Sequence, residues 1–120
     1  MKVAVIGSRT FNDYELLKLT LSKYNITTII SGGAKGADLL SEQYAGDFEI
    51  PTLIFKPDWV KHGRGAGFIR NKDIINECDF AITFWDGTSK GTLHSINLAK
   101  RQNKTVIIVE YNKPTNYFIF

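Results

Sequence analysis

The stretch "SGGAKGAD", residues 31–38, decides how this chain is read. It follows the apolar run at residues 27–30 and leads into Leu39, Leu40 and Tyr44, so a strand hands over to a helix across three glycines, two alanines and one lysine. A connection needs one or two flexible residues, and each glycine raises the entropy lost on folding. The surplus says that something comes close to the backbone here.

Outward from this turn, apolar runs and helical stripes alternate. Residues 3–6 read as a buried strand. Tyr14, Leu17, Leu21 and Tyr24 recur at steps of three and four, an amphipathic helix capped by Asn12 or Asp13. Residues 27–30 form a second strand, and a short helix from about Ala37 turns Leu40 and Tyr44 inward. A third strand, residues 52–55, is entered through Pro51. Residues 56–67 read as loop. A helix over residues 66–77 then places Phe68, Asn71, Ile75 and Cys78 on one inward face. Residues 80–85 are a fourth strand and 92–101 a helix. Residues 105–109, the most continuous β-branched run, are expected to be a central strand. The last segment, residues 110–120, reads as a tail with a turn around Pro114 and an apolar end that needs cover from the core or a second copy.

Repeated strand–helix alternation predicts an α/β fold, mainly a parallel sheet of about five strands with helices on both faces. The length of 120 residues suits one domain over residues 1–120, large enough to bury roughly two-thirds of its unfolded surface. With 43% apolar and 22% charged residues the composition is that of an ordinary globular chain. Cys78 is the only cysteine, which excludes an intrachain disulfide and a cysteine zinc cluster. No segment reads as a signal peptide or a membrane span, so a cytoplasmic setting without a membrane partner is expected.

The loops are unequal. Helix-to-strand connections are short and plain, whereas "GSRTFND", "SGGAKGAD", "KPDWVKHGRGAG" and "WDGTSKGT" all run from strand to helix. In a parallel sheet these open at the carboxyl edge, where such folds bind ligands. Gly7 allows a sharp turn, Ser8 offers a hydroxyl and an N–H to an oxyanion, and Arg9 adds a planar fork suited to phosphate. In the second loop the N–H groups of Ser31, Gly32, Gly33, Ala34, Lys35 and Gly36, ahead of a helix amino end, form an expected anion site. Asp38 is either a first-turn carboxylate favoured by the helix dipole or a group that binds ribose hydroxyls.

Asp86, Gly87, Thr88, Ser89, Gly91 and Thr92 repeat the pattern, with one hydroxyl serving as helix cap. Arg70 faces the rim, and Asn71 beside it is a structural clamp or a ligand contact. Neither the Walker A nor the dinucleotide fingerprint matches, so no ATPase or NAD-dependent dehydrogenase is implied. His62 and His94 lack the spacing and acidic partners of a metal site, and neither a metal nor a cofactor is expected. Trp59 and Trp85 are core or rim hydrophobes, or stack on a base. The net charge of +3 and pI near 9.0 are mild. The excess gathers at Lys56, Lys61, Arg64, Arg70 and Lys72, against Asp58 and Asp73.

Four motifs in this order, "GSRTFND", "SGGAKGAD", "FKPDWVKHGRGAGFIRN" and "FWDGTSKGT", resemble the YspA-type members of the SLOG superfamily, which includes the DNA-processing protein DprA and the Lonely Guy enzymes. The resemblance runs from Met1 to about Val109. It implies a Rossmann-like sheet that binds nucleotides or nucleotide-derived molecules at the rim. Gly32, Gly33 and Gly36 match the first phosphate-side loop, Arg70 resembles the arginine before the second, and Gly91 and Thr92 resemble the "GT" of the Lonely Guy motif. Those enzymes follow "GT" with glutamates that assist cleavage of a base–ribose bond. This chain has Leu93, His94 and Ser95 there, so a carboxylate would have to come from another loop, from Asp38, Asp58 or Asp86, with Asp38 and Asp86 as the catalytic candidates.

Three functions follow as expectations: a nucleotide-binding domain that senses, carries or sequesters its ligand; a nucleotide N-glycoside hydrolase; and a DprA-like single-strand nucleic-acid binder using Lys56 to Lys72 and Trp59. A homo-oligomer is a further expectation from the apolar tail.

Overall fold

The computed structural model describes residues 1–111 and the backbone of residues 117–119. Alternating burial starts in the first strand, β1 (Lys2–Gly7), where every residue from Val3 to Ile6 is buried. Val3 and Val5 point to one face, Ala4 and Ile6 to the other. A strand buried on both sides needs helices on both sides. α1 (Tyr14–Leu21) and α2 (Ala37–Asp47) cover the first face with Leu17, Leu21, Tyr44 and Ala45. α4 (Ala66–Glu77) and α5 (Lys90–Arg101) cover the second with Ile74, Ile75, Ile96 and Ala99.

β2 (Thr28–Ser31), β3 (Thr52–Ile54), β4 (Phe80–Trp85) and β5 (Val106–Glu110) join β1 in one sheet, all parallel, in the order β3-β2-β1-β4-β5. β3 is short, exposed and at the edge, as its entry through Pro51 implies. β5 is interior but not central; the middle of the sheet is β1 and β4. β6 (Tyr117–Ile119) adds an antiparallel edge strand, with Ile107 opposite Ile119 and Val109 opposite Tyr117. The expected turn around Pro114 lies outside the described residues.

Two further expectations are corrected. The segment at residues 56–67 is not wholly loop: it holds α3 (Trp59–His62) and a 3-10 turn (Gly63–Gly65). Asp58 caps α3 by accepting from the Lys61 N–H at 3.0 Å. Phe68 is not part of the inward stripe. It is 53% exposed at the rim and packs edge-on against His94, with ring centroids 4.5 Å apart. Asp13, not Asn12, caps α1.

The end of α4 is closed from a distance. The Lys104 ammonium donates to the carbonyls of Ile75 at 2.5 Å, Asn76 at 3.0 Å and Cys78 at 2.7 Å. All three of its donors are used, and its charge sits at the negative end of the helix. Lys104→Met keeps the stem and strands those carbonyls. We expect a loss of about 1–3 kcal/mol in urea unfolding, with no change in ligand affinity.

Candidate functional site

The strand order reverses between β1 and β4, and the strand-to-helix loops meet above that point. Ser8, 2% exposed, knits two of them together. Its N–H donates to the Phe84 carbonyl at 3.0 Å, and its hydroxyl accepts from the Asp86 N–H at 3.2 Å. The N–H expected to serve an oxyanion is therefore in use within the fold.

The second loop is also partly self-satisfied. The Ser31 hydroxyl accepts from the Gly33 N–H at 3.2 Å, and Asp38 Oδ2 accepts from the Ala34 N–H at 3.1 Å. Two amides of the expected anion nest thus face the chain's own side chains. What comes close to the backbone at Gly32 is Arg70: a Cβ there would lie 2.5 Å from Nη1, which donates to the Gly32 carbonyl at 2.8 Å. In the fourth loop Asp86 Oδ1 accepts from the N–H groups of Thr88 at 2.9 Å and Ser89 at 2.7 Å. These bonds hold its carboxyl below the usual range. Ser89 is the cap of α5, its hydroxyl accepting from the Thr92 N–H.

Between the loops lies an inner cavity of about 130 Å³, lined by Arg9, Asp38, Arg70, Asn71, Thr92 and Ser95, with Gly7, Ser89 and Gly91 at its edges and Ile6 and Ile74 as apolar walls. A wider cleft of about 480 Å³ shares Arg9, Ala34 and Arg70 with it and adds Gly32, Gly33, Lys35, Lys56 and Trp59. Ser8, Ser31, Gly36, Asp86, Gly87 and Thr88 line neither space; they build the loops. Ser95 and Ile74 went unforeseen as lining residues, although each sits about one turn beyond Thr92 and Arg70. Lys56 and Trp59 belong to this cleft and not only to a separate nucleic-acid track. Trp85 packs against the core and donates its Nε1–H to the Ser89 carbonyl at 3.1 Å.

The charges are asymmetric. Among the described residues, Arg9, Lys35, Lys56 and Arg70 form no salt bridge with a carboxylate. Burial and the nearby Arg9 lower the pKa of Arg70, while Asp38 opposes that. Among the described residues Asp38 is the one carboxylate lining the inner cavity. At 7% exposure, desolvation pushes its pKa from 3.8 up to about 6, and the Ala34 N–H and Arg70 temper the rise. Among the described residues no three His, Cys, Asp or Glu side chains converge as a metal site requires, and no helix is long and apolar enough to cross a membrane.

The family model for the YspA, cpYpsA-related SLOG family matches residues 1–62, just over half of the chain. The chain belongs to this family. The Gene 61 protein of Mycobacterium phage D29 is 29% identical over 118 residues, covering 88% of this chain and 94% of that protein. DprA of Streptococcus pneumoniae shares the fold with a TM-score of 0.76 at 19% identity, over 89% of this chain. DprA of Helicobacter pylori, a protein described for its single-stranded DNA binding mode, does so at 0.71 and 22%, over 90% of this chain. This chain spans 49% and 64% of those two DprA chains.

Proposed function

We propose that this SLOG chain acts as one nucleotide-binding unit, holding the phosphate of a nucleotide or nucleotide-derived ligand between Arg9 and Arg70 in order to sense, carry or sequester it. The observation that carries the reading is two guanidiniums lining a cavity at the point of strand-order reversal, neither in a salt bridge among the described residues. Two like charges held close repel unless an anion joins them, and planar forks suit phosphate oxygens. Asp38 and Asn71 line the inner cavity, where they would bind sugar hydroxyls, and Trp59, 55% exposed at the cleft, would stack on a base.

The test is a melting-temperature screen against mononucleotides, ADP-ribose and cyclic dinucleotides. A ligand at a hundredfold excess over its dissociation constant stabilises by about 2.7 kcal/mol. Arg9 is exposed, so Arg9→Ala should fold normally while losing about tenfold or more in affinity. No shift with any compound refutes the reading.

A second reading rests on Lys35, Lys56 and Trp59 along the open cleft: a nucleic-acid strand could follow the cations and stack on the indole. It predicts oligonucleotide affinity that falls steeply with salt, where a mononucleotide site would show a shallow dependence. Hydrolase activity is the third; chromatography of the screened samples would reveal free base, and Asp38, which lines the inner cavity, would be the carboxylate to test.

A further inference from the structure

Arg70 is held at two points, and one of them leads across to another helix. Its Nη1 donates to the Gly32 carbonyl, and its Nε donates to Asn71 Oδ1 at 3.0 Å. The Asn71 amide then meets His94 on α5, with Nδ2 3.3 Å from Nδ1 of the ring. A guanidinium has only donors, so the atom of Asn71 that faces it is the oxygen. The NH₂ group must therefore face His94. That group also only donates, which requires a lone pair on Nδ1 and puts the imidazole proton on Nε2. Phe68 packs edge-on against the ring and holds its orientation.

We propose that Asn71 and His94 are positioning residues for Arg70, and that a proton on His94 breaks the relay and loosens the arginine, so that a histidine outside the cavity governs anion affinity within it. This rests on the anion-site reading above. Protonated His94 would set an N–H against the Asn71 NH₂, donor to donor. The amide would turn away or rotate its oxygen to the ring, and either movement leaves Arg70 Nε without its acceptor. Arg70 would then keep only the hydrogen bond to the Gly32 carbonyl, drawn by Asp38 and repelled by Arg9 but no longer fixed at Nε. The groups around the ring favour the neutral form at neutral pH. From α4 it meets Phe68 and Asn71, with Arg70 behind, and along α5 Arg101 acts on it; burial first and then Arg101 hold its pKa below 6.5.

Sulfate is the probe, because it does not titrate between about pH 5 and 8. Long-range nitrogen–proton spectra should show His94 as the Nε2–H tautomer, titrating below a free histidine. At pH near 8, His94→Leu should weaken sulfate binding about tenfold. His94→Gln, whose side-chain oxygen can accept from Asn71 and carries no titrating proton, should restore most of that loss. Towards pH near 5 wild type should fall behind His94→Gln by about fivefold or more; protonation of Asp38 acts alike on both proteins and cancels from the ratio. An Nδ1–H tautomer, or parallel pH profiles for wild type and His94→Gln, overturns the relay and leaves the anion site standing. Absence of sulfate binding by wild type at every pH is a separate failure, which removes the anion site and the relay with it.

Discussion

Asp38→Asn is expected to raise stability at pH 8 by about 2–4 kcal/mol. The folded carboxyl takes up its proton near pH 6, whereas the unfolded one does so near 3.8. Between those values the folded chain holds a proton that the unfolded chain has lost. Stability is therefore highest below pH 3.8 as far as this group is concerned, falls as pH rises through about 6, and stays reduced above that. At about 1.4 kcal/mol for each pKa unit, the cost of the buried charge is about 3 kcal/mol. Asparagine keeps the acceptor for the Ala34 N–H and carries no charge, so it removes both the cost and the pH dependence. Chemical unfolding at several pH values checks this: curves for wild type and variant should converge below about pH 4, separate as pH rises to about 6, and stay apart by a constant amount above it.

The same substitution separates the readings of the site. Loss of a negative charge from a cavity shared with Arg9 and Arg70 should tighten sulfate binding at pH 8 severalfold. If Asp38 binds sugar hydroxyls, nucleotide affinity should fall in the variant that gains sulfate affinity. If Asp38 takes part in cleaving a base–ribose bond, release of base should cease while nucleotide binding persists. A carboxylate kept buried at such a cost, in a cavity with two arginines, supports the proposed ligand-site reading.

The fold was legible because its signals are local. β4 is a run of six apolar and β-branched residues, and α4 carries its own 3.6-residue repeat; both have the expected bounds. α3 was not, since four residues are too few to show a period, and only the Asp58 cap and Gly63 stop mark it. Phe68 has the spacing of a core residue, but it lies at the rim end of its helix, where its neighbour is His94. The site was legible as a set of loops and illegible as a set of contacts. The residue that approaches Gly32 comes from 38 positions away, and the acceptor for the Asp86 N–H comes from 78 away. Periodicity and turn chemistry carry no information over such separations. Asn71 illustrates the limit: its inward direction could be read from the stripe, but its partners are the side chains of Arg70 and His94, not loop backbone.

Gly36→Ala is expected to be strongly destabilising, and it shows what part of the glycine surplus is for. Gly36 precedes α2 with φ 84° and ψ −128°, a conformation open to glycine and closed to residues with a Cβ. A Cβ there would lie 2.3 Å from the Ser8 carbonyl oxygen and 2.8 Å from that of Arg9. Both obstacles are backbone, and Ser8 is fastened to Phe84 and Asp86, so neither can swing aside. Strain of about 1–3 kcal/mol at the residue itself adds to the separation of the first two loops, for a loss of about 3–5 kcal/mol. Displacing Arg9 with its loop should also abolish anion binding at temperatures where the variant remains folded. Gly46→Ala is the control: nothing lies within 4 Å of a Cβ there, inside α2, and stability should rise by about 0.5–1 kcal/mol. If Gly36→Ala unfolds at the wild-type denaturant midpoint, the backbone contact between the first two loops is not what the glycine serves.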